Sequence, residues 1–140
     1  MEKYCPFCNV KKELILAETE YSIVFINENP AIPGHLLVVP RVHAISFIDS
    51  VFTDVMVADL FVTARKAAVI GNCVINNTGM NGLFNVGKVA GQNVKHFHFH
   101  LFFRNEGDNL VNMQRIEREG EKLKKDEVAF LKEVFEKNYR

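Results

Sequence analysis

Hydrophobic and polar residues change their spacing several times along the chain, and each change marks an element. Residues 21–26 (YSIVFI) are β-branched or aromatic and read as a strand. Residues 27–34 (NENPAIPG) carry two prolines and a glycine and read as a loop. Residues 36–39 (LLVV) are wholly apolar and are stopped by Pro40, as in a buried strand. The period then lengthens. Val51, Val55, Ala58, Val62 and Arg65 share one line of a helical wheel, and Phe52, Met56, Leu60, Phe61 and Ala64 broaden its apolar side. This predicts one helix, capped by Asp49 or Ser50 and ended by Gly71-Asn72. Residues 73–76 and 83–86 are short strand candidates separated by Gly and Asn, and residues 95–103 (KHFHFHLFF) alternate strongly as a strand does. From Met113 onward the chain is charged, with Val128, Leu131, Val134 and Phe135 at helical spacing and Asp126 as a candidate cap. The expected class is α+β: an antiparallel sheet of about five strands, one main helix and a C-terminal helix.

Composition narrows this picture. A chain of 140 residues is one domain, and 48% hydrophobic with 24% charged residues is a globular balance. Lys plus Arg and Asp plus Glu are 17 each, so there is no broad electrostatic footprint for nucleic acid or an anionic membrane. A local site for one phosphate group stays open. No apolar run approaches the roughly 20 residues that span a bilayer, and the N-terminal residues lack the apolar stretch of a secretory signal. The expected compartment is the cytoplasm. Three cysteines are an odd set, so a disulfide framework is a poor reading. Cys73 stands apart and reads as a buried small hydrophobe.

The densest chemistry is His96-Phe97-His98-Phe99-His100-Leu101. Positions i, i+2 and i+4 of a strand share one face, about 6.5–7 Å apart, while Phe97, Phe99 and Leu101 point the other way. One strand histidine taken singly is usually inert. Three in strict alternation, backed by bulky apolar residues, make a row of imidazoles. Imidazole acts as nucleophile, acid or base near neutral pH, and it also binds transition metals. Gly91-Gln92-Asn93-Val94 leads into this row, and its amides and side-chain donors suit phosphate oxygens. Asn85 offers donor chemistry without a diagnostic motif.

Cys5-Pro6-Phe7-Cys8 has the spacing that lets two thiolates share one metal. A redox pair or free thiols are the alternatives, although a redox motif would follow a strand. His35, after Pro33-Gly34, could be a hydrogen-bonded core histidine. His43, three residues past Pro40, could lie on the surface.

Taken together, Pro33-Gly34-His35-Leu36-Leu37-Val38-Val39-Pro40, the helix, Gly91-Gln92 and His96-x-His98-x-His100 resemble the histidine-triad (HIT) superfamily over residues 21–104. The resemblance implies a single HIT domain over residues 1–140, with a zinc motif at 5–8 and a helical extension at 111–140. Val94-Lys95-His96, Asn27 eight residues before His35, and Asp59-Leu60-Phe61 are similar to the fragile-histidine-triad branch, hydrolases of dinucleoside polyphosphates. The short spacing from Asn85 to Gln92 is more similar to the nucleotide-binding branch, which cleaves nucleoside phosphoramidates and acyl-nucleotides. The Cys pair resembles that of many bacterial members. It also resembles the zinc site of galactose-1-phosphate uridylyltransferases, which implies the ligands Cys5, Cys8, His43 and His96. Those transferases are much longer and carry glutamine where this chain has His100.

The resemblance implies hydrolysis at the α-phosphate of an adenylyl conjugate through a nucleotidyl-His98 intermediate. It implies His100, His96 and His35 as the other catalytic residues and structural zinc tied to the catalytic strand by His96. It further implies nucleotide contacts from Asn27, Leu37, Asn85, Gln92, Asn93, His98 and His100, with Phe25 beside Leu37, and a homodimer. Two other classes are a nucleotide-sensing module with little turnover and a zinc-organised interaction module using the C-terminal helix.

Overall fold

The computed structural model describes residues 4–111, 114–115 and 123–139. Its centre is a five-stranded, wholly antiparallel sheet: β1 (Ile15–Glu18), β2 (Ser22–Ile26), β3 (His35–Pro40), β4 (Gly79–Phe84) and β5 (Phe99–Arg104), in the order β1-β2-β3-β5-β4. The helices are α1 (Asp54–Val74) and α2 (Lys125–Asn138), and a small ribbon pairs β6 (Leu110–Val111) with β7 (Gln114–Arg115). No helix among the described residues is long and apolar enough to cross a membrane.

Alternation sorts each strand between two faces. Val24, Ile26, Leu36, Val38, Leu101 and Phe103 join the main core beneath α1 and α2, with Leu60, Ala64, Ala67, Leu131 and Phe135. The opposite face carries Phe25, Leu37 and Val39, covered by Phe7, Val10 and Leu14 of the N-terminal segment. The histidine site lies on this second face. Leu131 and Phe135 are buried in the chain's own core, so the apolar stripe of the C-terminal helix is internal packing.

Several elements depart from the pattern-based expectation. The strand β1 is an addition to the expected elements: its four residues, with one β-branched side chain, carry little local signal. The helix α1 begins later than predicted: Thr53 caps it, its Oγ1 accepting from the Met56 N–H at 3.4 Å. Asp49 instead closes a turn, accepting from the Ile45 and Val51 amides. The line through Val51, Val55, Ala58 and Val62 faces solvent, and the buried stripe is Leu60, Thr63, Ala64, Ala67, Ile70 and Gly71. Gly71 does not end the helix, because its missing side chain makes room for the Phe103 ring.

Residues 73–76 are therefore no strand. Cys73 and Val74 finish α1, the Ile75 N–H closes on the Gly71 carbonyl, and Cys73 is exposed rather than buried. Of the candidate at 83–86 only Leu83 and Phe84 are strand, the end of a β4 that starts at Gly79, and residues 85–86 lie beyond it. Residues 95–98 lie outside the ladder, since β5 starts at Phe99. The strand pairing would bring Phe97 opposite Pro40, which has no N–H to give, and Phe97 donates to the Ala44 carbonyl instead at 2.7 Å. Lys124 is the N-terminal cap residue of α2, and Asp126 sits in the first turn. Part of the predicted 111–140 extension lies outside the described residues.

Candidate active site and metal-ligand cluster

Register across the second face sets the site. Phe25 pairs with Leu37, Leu37 with His100, and His100 with Leu83, so an imidazole sits within an apolar cross-strand row. One step along, His35 pairs with Phe102, and their rings lie 4.2 Å apart. Gly34 fixes that register: its carbonyl accepts the Phe103 N–H at 2.8 Å, and a Cβ there would lie 2.9 Å from Phe103 Cβ. This close approach explains the glycine of the Pro-Gly-His element.

Carbonyl partners, which only accept, determine the imidazole tautomers. His98 Nδ1 lies 2.8 Å from the His96 carbonyl, so Nδ1 carries the proton and Nε2 keeps its lone pair. His96 Nε2 lies 2.8 Å from the Pro40 carbonyl, which leaves the lone pair on Nδ1. His35 Nδ1 accepts from the Ala31 N–H at 3.0 Å, so its proton is on Nε2, 2.9 Å from His100 Nδ1. His100 then accepts at Nδ1 and keeps its own proton on Nε2. One backbone amide thus orders two imidazoles.

Burial holds these rings uncharged. It pushes His35 down to about 3, helped by the neighbouring His100, and His100 down to about 4, helped by His98. Burial also lowers His98, against the pull of its bond to the His96 carbonyl. His96 falls to about 4 through burial, which outweighs its bond to Pro40.

His35, His98 and His100 open onto a cavity of about 560 Å³, shared with Asn27, Asn93 and Leu37. Phe7, Val10, Leu14 and Phe25 make its apolar end, and Lys11 and Glu28 form an ion pair among its lining residues. Asn27 Oδ1 accepts from the Asn29 N–H at 3.0 Å, which turns Nδ2 toward the His35 ring.

Gln92 and Asn85 are not brought to this cavity. Gln92 is buried, with Oε1 accepting from the Gly87 N–H and Nε2 donating to the Ile45 and Val94 carbonyls. Its amide ties the β4–β5 connection to the loop between β3 and α1. Asn85 lies beside Gly91. Asp59, part of the branch resemblance, accepts from the Thr19 and Ser22 hydroxyls at 2.7 Å each and anchors the β1–β2 turn to α1. The contribution that local sequence did not reveal is Phe7, whose ring lies 5.0 Å from His98.

Cys5, Cys8, His43 and His96 converge, their donor atoms all within 4.8 Å of one another. His43 Nδ1 lies 3.2 Å from both Cys8 Sγ and His96 Nδ1, and both sulfurs lie 3.5 Å from His96 Nδ1. These four donors can hold a metal ion, with the lone pair of His96 aimed inward.

An antiparallel sheet whose strand β5 is entered through a histidine triad, with His98 and His100 opening onto a cavity, defines a histidine-triad protein, and the chain belongs to the HIT domain family, whose profile matches residues 9–107. The chain is 33% identical over 116 residues to the adenosine 5′-monophosphoramidase HNT1 of Saccharomyces cerevisiae, covering 79% of this chain and 70% of that one. It is 29% identical over 137 residues to the bis(5′-adenosyl)-triphosphatase of Dictyostelium discoideum, covering 92% and 90%. Among solved structures, a member of the HIT family from Bacillus subtilis superposes with a TM-score of 0.69 at 26% identity, covering 96% of both chains.

Proposed function

We propose that the protein hydrolyses nucleoside 5′-phosphate conjugates at the α-phosphorus, with His98 as the nucleophile. The observation that carries this reading is the tautomer of His98: its Nδ1 proton is spent on the His96 carbonyl, and its Nε2 lone pair faces a cavity with an apolar end. Relatives named for adenosine 5′-monophosphoramidate and bis(5′-adenosyl) triphosphate support an adenylyl substrate.

Nε2 of His98 attacks phosphorus, and the bond to the leaving oxygen or nitrogen breaks, its electron pair staying with the leaving atom, which takes up a proton from solvent. Water then attacks the same phosphorus, and the electron pair of the P–N bond returns to Nε2. One water proton leaves to solvent as the monophosphate departs. His100 Nε2–H donates to a phosphate oxygen as charge grows there. His35, whose tautomer Ala31 fixes, keeps His100 in that donor form. Asn27 and Asn93 stand where ribose and phosphate contacts are made, and Leu37 and Phe25 back the base. Gln92 acts through the loops it ties, not by direct donation.

The ligand cluster fits zinc. Metal–sulfur bonds of about 2.3 Å and metal–nitrogen bonds of about 2.0–2.1 Å in a tetrahedron put two nitrogens about 3.3 Å apart and sulfur about 3.5 Å from nitrogen. The observed separations are 3.2 Å between nitrogens and 3.2–3.5 Å between sulfur and nitrogen. Zinc bound by Cys5, Cys8, His43 and His96 would have four protein ligands and supply structural cross-linking. The reading also includes a homodimer, which sedimentation measures.

Turnover of diadenosine tri- and tetraphosphate is compared with that of adenosine 5′-phosphoramidate, using His98→Ala as control. Preference for either class names the leaving group. No cleavage above the control, with adenosine monophosphate still bound, replaces the hydrolase by a binding module.

A further inference from the structure

The N-terminal segment belongs to two sites at once. Cys5 and Cys8 are metal-ligand candidates, while Pro6 and Phe7 between them line the histidine cavity. The Phe7 ring lies 5.0 Å from His98 and 5.5 Å from Phe25. Tyr4, Pro6, Asn9, Asn93 and Val94 border both this cavity and the concavity around the ligand cluster. Yet residues 4–11 pair with no strand. Their polar contacts include Asn9 Nδ2 donating to the Cys5 carbonyl at 2.9 Å within the segment, the Lys11 carbonyl accepting from the Leu14 N–H at 3.0 Å, and the exposed Lys11–Glu28 pair. Such an exposed pair holds a segment weakly. Among the segment's polar contacts, those that reach furthest across the fold are Cys5 with His96 and Cys8 with His43 and His96.

We infer that metal occupancy at this cluster sets nucleotide affinity, because it clamps Phe7 against His98 and Phe25 and so builds the apolar wall for the nucleobase. The inference rests on the nucleotide reading above. The ligand class is a nucleoside 5′-monophosphate with an aromatic base, and Phe7 is the residue that carries the coupling. Reciprocity follows: if zinc tightens adenosine monophosphate by some factor, the nucleotide tightens zinc by the same factor.

Adenosine monophosphate is titrated calorimetrically into four samples: zinc-loaded and chelator-stripped protein, and the same two states of Phe7→Ala. Circular dichroism and zinc content report folding and loading. Stripping the wild type is expected to raise Kd at least about tenfold, worth about 1.4 kcal/mol. Phe7→Ala with zinc bound is expected to lose a similar factor, and stripping that variant to cost little more. Such non-additivity is the signature of one shared pathway. Equal affinity with and without metal in folded protein overturns the inference, as do fully additive losses. Should stripping unfold the chain, unchanged affinity in zinc-loaded Phe7→Ala overturns it. If zinc-loaded wild type binds no nucleotide, the functional reading itself fails.

Discussion

Replacing His35 by Phe separates the imidazole's polar roles from its packing. A phenyl ring keeps an aromatic group between Phe102 and His100, whose centroids lie 4.2 Å and 5.1 Å from that of His35. It removes the acceptor for the Ala31 N–H and the donor to His100 Nδ1. Disrupting buried hydrogen bonds costs about 1–3 kcal/mol, so the variant should be less stable than wild type at pH 7 by that order. Acid reverses part of this deficit. Wild-type His35 titrates at about 3 when folded, against an ordinary value of 6.5. As pH falls below about 6.5 the unfolded chain takes up a proton that the folded one refuses, so stability is lost from there down to the folded value. At pH 5 the loss from this one residue is about 1.5 units at 1.36 kcal/mol each, or about 2 kcal/mol. Phe does not titrate. Urea denaturation at pH 7 and pH 5 should therefore show the gap between the two proteins shrinking by about 2 kcal/mol at the lower pH. A gap independent of pH would mean that His35 titrates normally and that the tautomer chain built on it is wrong. In activity, the loss of the donor to His100 should lower kcat/KM roughly 10–100-fold while leaving nucleotide binding at the apolar end largely intact.

Other outcomes follow from the same geometry. Gly71→Ala should gain about 1 kcal/mol of helix propensity and still lower Tm, because its Cβ would lie 2.2 Å from Cζ of the fully buried Phe103; a raised Tm refutes the packing argument. Gln92→Leu should cost about 1–3 kcal/mol in urea by freeing the Gly87, Ile45 and Val94 groups from their side-chain partner. Abolished nucleotide binding with unchanged stability would make Gln92 a direct ligand contact instead. Cys8→Ser should lower zinc content and Tm together, and normal zinc stoichiometry in that variant would remove Cys8 from the ligand set.

The parts of this molecule legible in its sequence are those whose chemistry is local. Alternation alone put Phe97 and Leu101 in the core and His100 on the other face, and the apolar run ahead of Pro40 is β3. Cys5 and Cys8 were legible as a pair, but local spacing could not choose their partners. His43 and His96 entered through the family resemblance, and the fold places their nitrogens beside the two sulfurs. What escaped depends on distant contacts. Gly71 signals a helix end until Phe103 is packed against it, and the strand propensity of Val74 is overridden by a helix that continues to that residue. The amide of Gln92 suits a phosphate in isolation, yet backbone groups of two loops claim it. Phe7 reads as a spacer between cysteines until the chain folds it onto His98.

The central claim is that Nε2 of His98 attacks phosphorus. It is tested most directly by quenching the reaction with an adenosine 5′-phosphoramidate in alkaline denaturant within its first turnover, because the P–N bond of the adduct is labile in acid, and mapping the adenylyl group by mass spectrometry. The account predicts a single adduct on His98, absent from His98→Ala, which folds and binds adenosine monophosphate but does not turn over. An adduct on another residue, or near-normal turnover by His98→Ala, contradicts it.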